Sequence, residues 1–364
     1  MGFQGPITKR LDAHMNEKLS LAVSKPKISV IMACFNSIFF VSEAVESILN
    51  QTFRDFELIL IDDGSSDSTL DIIRRYELKD NRIIVIEKQN TGAADSRNKG
   101  IFLSRGDWIA ILDSDDIALP MRLEEQFEYA AKNPGVLMVG SDCITIDKEG
   151  SPIKKHSYPV NSLQLKNRLR RNMAFPPHSS VLYRADVVKR LGGFNTRFVR
   201  SQDWDLWLRL AEEGQIACLN RPLVKIRKHS SNISYSEGGN TQSLYGFVAI
   251  ICHFLRNKSF LDPSTSDDET DWRAFLAWVS LRMKQEGHFE KQNRWVQLKQ
   301  AYYSPVNRMS RVWRLTKGIA TSRNMLGMIC EKFFGSDLPE TLANEWSQKC
   351  QRSKYVERNQ VTLQ

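Results

Sequence analysis

The first 150 residues predict an α/β fold on a mixed, mostly parallel central sheet, and three observations carry that expectation. Short, nearly continuous β-branched runs recur, amphipathic stretches separate them, and the polar residues gather just after the runs. "ISVIMACF" (28–35), "FELILID" (56–62), "RIIVIEK" (82–88) and "WIAILD" (108–113) have the length and composition of strands covered on both faces. Between the first two, Val41, Ala44, Val45, Ile48 and Leu49 fall at i, i+3, i+4, i+7 and i+8, one apolar stripe of a helix. A second helix is expected from about Ser68 to Tyr76, and a third over "AADSRNKGIFLSRG", stopped by Gly106. Strand, helix, strand in repetition implies right-handed crossovers, and such sheets bind ligands at the carboxyl ends of their strands.

Composition bounds the rest. The chain has 364 residues, 41% hydrophobic and 26% charged, which is ordinary for a globular protein and long enough for one large domain plus a smaller one. Its longest clean apolar stretch, "GFVAIICHFL" at 246–255, is about half the roughly 20 residues needed to cross a bilayer. The N-terminus lacks a secretory apolar segment, and Pro6 stands where a myristoylation motif needs Ser or Thr; a cytoplasmic location is therefore expected. Six cysteines, at 34, 143, 218, 252, 330 and 350, form no Cys-x-x-Cys pair and no metal-finger spacing, so they read as reduced and mostly buried.

The strand ends hold the chemistry. The first run closes in "ACFNS", the second in "DDGSSDST" and the fourth in "DSDD", so acidic and small polar groups should share one crevice. Carboxylates at 4 Å repel by about 4 kcal/mol per pair at an effective dielectric near 20. Something positive must offset Asp113, Asp115 and Asp116, and a hard divalent cation is the usual partner. Helix N-capping is the plainer use of the same residues, since "DSDDIALPMRLEEQF" leads into a helix. An EF-hand loop is excluded, because its sixth position would be Ala118 rather than Gly and Pro120 would interrupt the ligands. A phosphohydrolase with Asp113 as nucleophile and Asp115 as acid stays open on this segment alone.

Taken in order, "ISVIMACFN", "FELILIDDGSSDST", "TGAADSRNKGI", "GDWIAILDSDD", "HSSVLYR", "GGFN" and "SQDWDLWLRL" resemble the family 2 glycosyltransferases of GT-A fold, a Rossmann-like nucleotide-diphospho-sugar transferase architecture. The likeness covers roughly residues 27 to 235. What it implies is a nucleotide-sugar donor, a UDP-sugar first of all, lying across the strand ends. Phe35 would sit against the base with the Ala33 backbone beside it; Asp63 would accept a hydrogen bond from the base, and Arg97 would reach the nucleotide or its phosphates. Asp113 and Asp115 form the Asp-x-Asp motif around Ser114, with Asp115 the more direct ligand of Mn²⁺ or Mg²⁺ and His229 a further one. A cation there stabilises the charge that develops on the departing diphosphate. Plainer roles stand beside each: a core aromatic for Phe35, a turn residue for Asp63, a solvated helix residue for Arg97.

The resemblance also assigns the base. Asp203 would deprotonate the acceptor hydroxyl, which is too weak an acid to react unaided; N-capping is its plainer role. Gln202 stands where the family commonly has Glu. His178 and Trp204 are expected to border the acceptor, a glycan or lipid-linked hydroxyl, although a lone His before a strand is more often structural. Direct attack opposite the leaving diphosphate would invert the anomeric configuration. Synthesis of a bacterial surface polysaccharide is the setting that the likeness suggests. A nucleotide-binding scaffold without turnover is the non-enzymatic alternative.

Three regions follow: an N-terminal extension (1–26), the catalytic domain (27–236) and a basic, mainly helical C-terminal region (237–364). From Tyr245 onward there are 18 Lys plus Arg against 12 Asp plus Glu, out of a formal charge of +9 for the whole chain. Helices are expected over "DWRAFLAWVSLRMKQEG", "FEKQNRWVQLKQAYY" and "NRMSRVWRLTKGIATSRNMLGMICEKFFG". One reading makes this a subdomain packed on the catalytic core. The other uses residues 282–317, where nine basic residues and two Glu interleave with Trp295, Trp313 and two Tyr, as a peripheral membrane-surface contact. No nucleic-acid motif accompanies them, so no nucleic-acid partner is expected.

Overall fold

A computed structural model describes residues 25–229, 239–290 and 337–361. Strands β1 (Ile28–Cys34), β2 (Phe56–Asp62), β3 (Ile83–Glu87) and β4 (Trp108–Ile111) run parallel in the order β3-β2-β1-β4. Their side chains alternate between two cores. Ile31, Ile59, Ile61, Ile109 and Ile111 face one hydrophobic cluster, while Val30, Met32, Leu58, Leu60 and Ala110 face another. Burial on both faces is why these runs lack polar alternation, and each fully buried Ile or Leu contributes about 1.5–3 kcal/mol.

Helices α1 (Val41–Leu49) and α2 (Thr69–Glu77) lie between β1, β2 and β3, and α3 (Ala93–Leu103) precedes β4. The predicted stripe of α1 is the buried one: Val41, Ala44, Val45 and Ile48. Helix α3 ends earlier than expected, because Ser104 turns to an extended conformation. Gly106 does not stop the helix; it lets the chain press on β1, where an added Cβ would lie 2.6 Å from the Ser29 nitrogen.

Past β4 the sheet becomes mixed. It continues through β5 (Ile117–Ala118), β6 (Val136–Ile146), β7 (Pro152–His156), β8 (Leu182–Arg184) and β9 (Gln215–Arg227), in the order β4-β8-β6-β9-β5 with β7 on β6. Strand β8 is antiparallel to β4 and β6, β9 is parallel to β6, and β5 is antiparallel to β9. Strands β6 and β7 have no counterpart in the sequence pattern. The Gly-Ser-Asp in "VLMVGSDCITI" interrupts the apolar run by which a buried strand is recognised, and β7 is almost wholly exposed.

Helices α4 (Arg122–Lys132), α5 (Ser162–Arg170), α6 (Ala185–Arg190) and α7 (Gln202–Glu213) cover this half. The C-terminal helices α8 (Gly239–Asn257), α9 (Glu269–Gln285) and α10 (Leu338–Val361) pack directly on it. One cluster joins Ile31 and Ile111 of the sheet to Leu206 and Leu210 of α7, Phe247–Cys252 of α8, Phe275 of α9 and Leu342 of α10. The apolar stretch at 246–255 is thus a buried core helix, and among the described residues no helix is long and apolar enough to cross a membrane. Helix α10 goes unmarked in the sequence, since it offers only a sparse apolar pattern. The helices expected within 291–336, and with them Trp295 and Trp313, lie outside the described residues. Cys34, Cys143, Cys218 and Cys252 are buried free thiols, as expected.

The "GGFN" turn fixes α3 against α7. Asn98 of α3 accepts from the Phe194 nitrogen and donates to the Phe194 carbonyl, both at 2.7 Å. Arg209 of α7 donates to the Leu191 and Gly193 carbonyls and pairs with the buried Asp205. Gly193 has φ +69°, and a Cβ there would overlap Asn98 Oδ1. Gly193→Ala therefore faces both left-handed strain and a clash. It is expected to lower the unfolding free energy by on the order of 1–3 kcal/mol, read as a lower urea midpoint with an unchanged m-value.

Candidate active site

Register brings the polar strand ends to one edge. Cys34 pairs with Asp62 and Ile31 with Ile111, so the residues after β1, β2 and β4 emerge side by side. Because β8 runs antiparallel to β4, the short 3-10 turn His178–Ser180 that precedes it arrives at the same edge. Strand β9 enters from the far side, where Ile117 pairs with Lys225, and delivers Arg227 and His229 to the loop of residues 112–116.

The three aspartates of that loop have different surroundings. Asp113 accepts from Arg97 Nη2 at 2.7 Å; burial pushes its carboxyl upward, but the Arg97 charge, the neighbouring His178 and the hydrogen bonds from Arg97 and Ser179 together hold it below the usual range. Asp115 Oδ2 lies 2.9 Å from His229 Nε2, and burial followed by the Asp113 charge raises it. Asp116 points inward. It accepts from Ser179 Oγ at 2.5 Å and from the Arg227 nitrogen at 2.8 Å, and burial, with Asp115 and Asp113 beside it, pushes it well above the usual carboxylate range.

Arginines around the loop supply part of the positive charge for which a divalent cation is the expected source. Besides Arg97, the fully buried Arg122 donates to the Ile111 and Val181 carbonyls where β4 and β8 end. Burial lowers its pKa to about 9, while Asp116 and Asp113 act to raise it. Arg227, also buried, donates through Nε to the Asp115 carbonyl at 3.0 Å, through Nη1 to the Lys148 carbonyl at 2.8 Å, and through Nη2 to Glu43. Sequence reasoning does not reach Ser179, Arg122 or Arg227. Arg122 falls in a helical stretch and Arg227 ends a strand, so neither has a local motif to mark it.

On the donor side, Phe35 is 49% exposed beyond the end of β1 and so is not a core aromatic, while Ala33 is half-buried within β1. Asp63 is buried and accepts from Lys88 Nζ at 2.5 Å and from the Thr91 and Gly92 nitrogens at 3.0 and 2.9 Å. Three of its roughly four acceptor positions thus hold the turn before α3, leaving about one for a ligand. Ser114 Oγ meets Ser37 Oγ at 2.7 Å, tying the loop after β4 to the loop after β1. Arg97, 12% exposed at its side chain, is no solvated helix residue.

Asp203 stands in the first turn of α7. Its Oδ1 accepts from the Trp204 nitrogen at 2.9 Å, and its Oδ2 lies 4.0 Å from His178 Nδ1. Burial raises its pKa, and the charges of Arg97 and Asp113 reach it. Ser201, just before it, is held at φ 54°, with its hydroxyl on the Gln242 carbonyl of α8. Trp204 turns toward the core, giving its indole N–H to the Leu169 carbonyl and packing on Phe175 and Trp207. Those contacts are structural, in contrast to the acceptor role expected for it.

Among the described residues no group of three or more His, Cys, Asp or Glu side chains forms a metal cage, and Asp113 is engaged by Arg97. Asp115 and His229 nonetheless fit Mn²⁺ or Mg²⁺ as a partial set. A carboxylate pressed by a like charge, next to an imidazole nitrogen, suits an ion that takes its remaining ligands from substrate phosphates and water.

The family model for glycosyl transferase family 2 matches residues 29–192, which spans the sheet from β1 to the Gly193 turn. An uncharacterised glycosyltransferase of Methanocaldococcus jannaschii is 33% identical over 242 residues, covering 65% of this chain and 83% of the relative. The O-antigen biosynthesis glycosyltransferase WbnJ of Escherichia coli is 34% identical over 194 residues, covering 51% and 72%. In fold, the chain is similar to S. aureus TarS 1-349 in complex with UDP-GlcNAc, with a TM-score of 0.53 at 17% identity and 80% of each chain covered. These likenesses exclude the phosphohydrolase alternative and agree with the mixed sheet, the strand-end site and the order of motifs along it: the chain belongs to glycosyl transferase family 2 and is a glycosyltransferase of GT-A fold.

Proposed function

We propose that this enzyme moves a sugar from a nucleotide-diphosphate donor, a UDP-sugar first of all, to a hydroxyl of a glycan or lipid-linked acceptor, with inversion and with a divalent cation. The observation that carries the reading is the placement of Asp203. It is a carboxylate in the first turn of a helix, 4.0 Å from His178 Nδ1 and within reach of the charges of the Arg97–Asp113 pair at the strand ends. A base thus stands near the groups that would hold a diphosphate, close enough for the charges of Arg97 and Asp113 to act on it. The O-antigen role printed for WbnJ supports surface polysaccharide synthesis as the setting.

In this reading Phe35 stacks on the base, and Ala33, Asp63 and Ser114 line the nucleoside. Arg97 neutralises phosphate charge and meanwhile keeps Asp113 ionised. Asp115 and His229 would hold Mn²⁺ or Mg²⁺, which when bound stabilises negative charge on the leaving diphosphate. Asp203 takes the acceptor proton as the new bond forms. The surroundings of these groups are already in place: Ser179, Arg122 and Arg227 hold the loop so that little reorganisation is left for the moment of reaction.

UDP-GlcNAc is the first donor to test. Asp203→Asn is expected to reduce transfer about 10²–10⁴-fold, while protection of the fold by UDP-sugar and Mn²⁺ against thermal unfolding is kept; a variant with wild-type turnover would remove Asp203 from the chemistry. The base works ionised, and burial raises its pKa, so kcat/KM should be greatest above that raised pKa. It should fall as pH drops through a point above the ordinary Asp value, and a rate flat down to about pH 4, near the ordinary Asp value, contradicts this. Chelation of divalent ions is expected to abolish turnover, with Mn²⁺ or Mg²⁺ restoring it, and Asp115→Asn should weaken the Mn²⁺-dependent part of UDP protection. Undiminished activity in chelator would end the metal assignment.

A further inference from the structure

His178 is a polar side chain that the fold encloses without using. Its side chain is 10% exposed, and neither ring nitrogen has a hydrogen-bond partner among the described residues. Buried nitrogens left unpaired cost free energy that a phenyl or leucyl group in the same space would not. The ring is also held in place, with Phe194 at 5.5 Å and Trp207 at 6.3 Å between ring centres. Phe194 is itself fixed through its backbone by Asn98, and Trp207 by its indole N–H on the Tyr183 hydroxyl at 2.6 Å. Nothing in this packing requires an imidazole.

The direction of the ring identifies what does. Nδ1 faces Asp203 Oδ2 at 4.0 Å, too far for a hydrogen bond between them. One oxygen about 2.8 Å from each would bridge the gap with its two contacts roughly at right angles, close to the spread between the hydrogen and a lone pair of a hydroxyl. Arg97 and Asp113 lie close enough for their charges to act on His178. The residue therefore neighbours both the base and the groups assigned to the diphosphate.

We infer that His178 is the second polar contact of the acceptor hydroxyl: Nδ1–H donates to the oxygen whose proton Asp203 removes. This rests on the reading of Asp203 as base. In the transfer step the hydroxyl proton passes to Asp203 Oδ2, and the oxygen electron pair bonds to the anomeric carbon. The bond from that carbon to the diphosphate breaks, its pair leaving on the diphosphate. His178 keeps its proton throughout and holds a lone pair not used in the attack, so it aims the oxygen. Burial, aided by Arg97, lowers its pKa to about 3, so it stays neutral at working pH and cannot tie up Asp203 as an ion pair.

The test compares wild type with His178→Ala, His178→Asn and His178→Gln, following UDP release from UDP-GlcNAc with water and then glycerol as acceptor. His178→Ala is expected to slow release by about 10-fold, the worth of one neutral hydrogen bond, with UDP protection against thermal unfolding unchanged. His178→Asn, whose amide nitrogen falls near the Nδ1 position, should recover part of the rate, and His178→Gln, whose amide falls near Nε2, should not. Wild-type turnover in His178→Ala, or equal failure of Asn and Gln with equal loss of Tm, overturns the proposal. Asp203→Asn in the same assay separates the two readings: if it stops release while His178→Ala does not, the base stands and His178 fails. Should the wild type release no UDP, ¹⁵N-histidine NMR decides. A protonated Nδ1 that shifts on adding glycerol supports the contact, and unmoved His178 resonances refute it.

Discussion

The site depends on how the charge of residues 113–116 is balanced from within. Three carboxylates in four positions would drive the loop apart if left alone. Each instead meets a separate counterpart: Arg97 for Asp113, His229 for Asp115, and the Ser179 hydroxyl with the Arg227 N–H for Asp116. Arg122 lies beneath all of them with no exposure to solvent. A buried arginine is tolerated only where carbonyls and carboxylates surround it, and those it finds belong to the ends of β4 and β8. The same contacts that make the acidic loop tolerable also fix where its two outward carboxylates point.

That balance divides the aspartates by surroundings. Asp116 is committed to structure, and Asp113 to its pair with Arg97. Asp115, raised by burial and by its neighbour, has the most to gain from a cation. A loop whose residues were equivalent could bind a metal without orienting it. Here the pinned member gives the other two a fixed frame, which is what electrostatic catalysis asks of a site.

Helix α7, which carries the proposed base, is held from the C-terminal helices. Asp205 and Arg209 of α7 bind the turn around Gly193. Glu212 at the other end of the helix pairs with His253 and Arg256 of α8, and Arg256 also reaches Asp262. Asp203 thus sits on a helix clamped at both ends, one end on the sheet-bearing half and the other on α8. The helices after residue 239 therefore help position Asp203, the proposed base.

Much of the fold and part of the site are legible in the sequence by itself. Periodicity locates β1 to β4, α1 to α3 and the crevice at their carboxyl ends, because strands buried on both faces and one-sided helices write their burial directly into spacing. The order of short motifs puts Asp113, Asp115, Asp203 and His229 forward as candidates, since each falls in a short polar stretch next to an apolar run. Tertiary structure alone decides the rest. Strands β6 and β7 owe their state to partners rather than to their own pattern. Arg122, Ser179 and Arg227 act through contacts up to 184 residues away, a separation that leaves no mark in local sequence. Trp204 turns to the core and His178 to the crevice for the same reason: which way a side chain faces is settled by what packs against it.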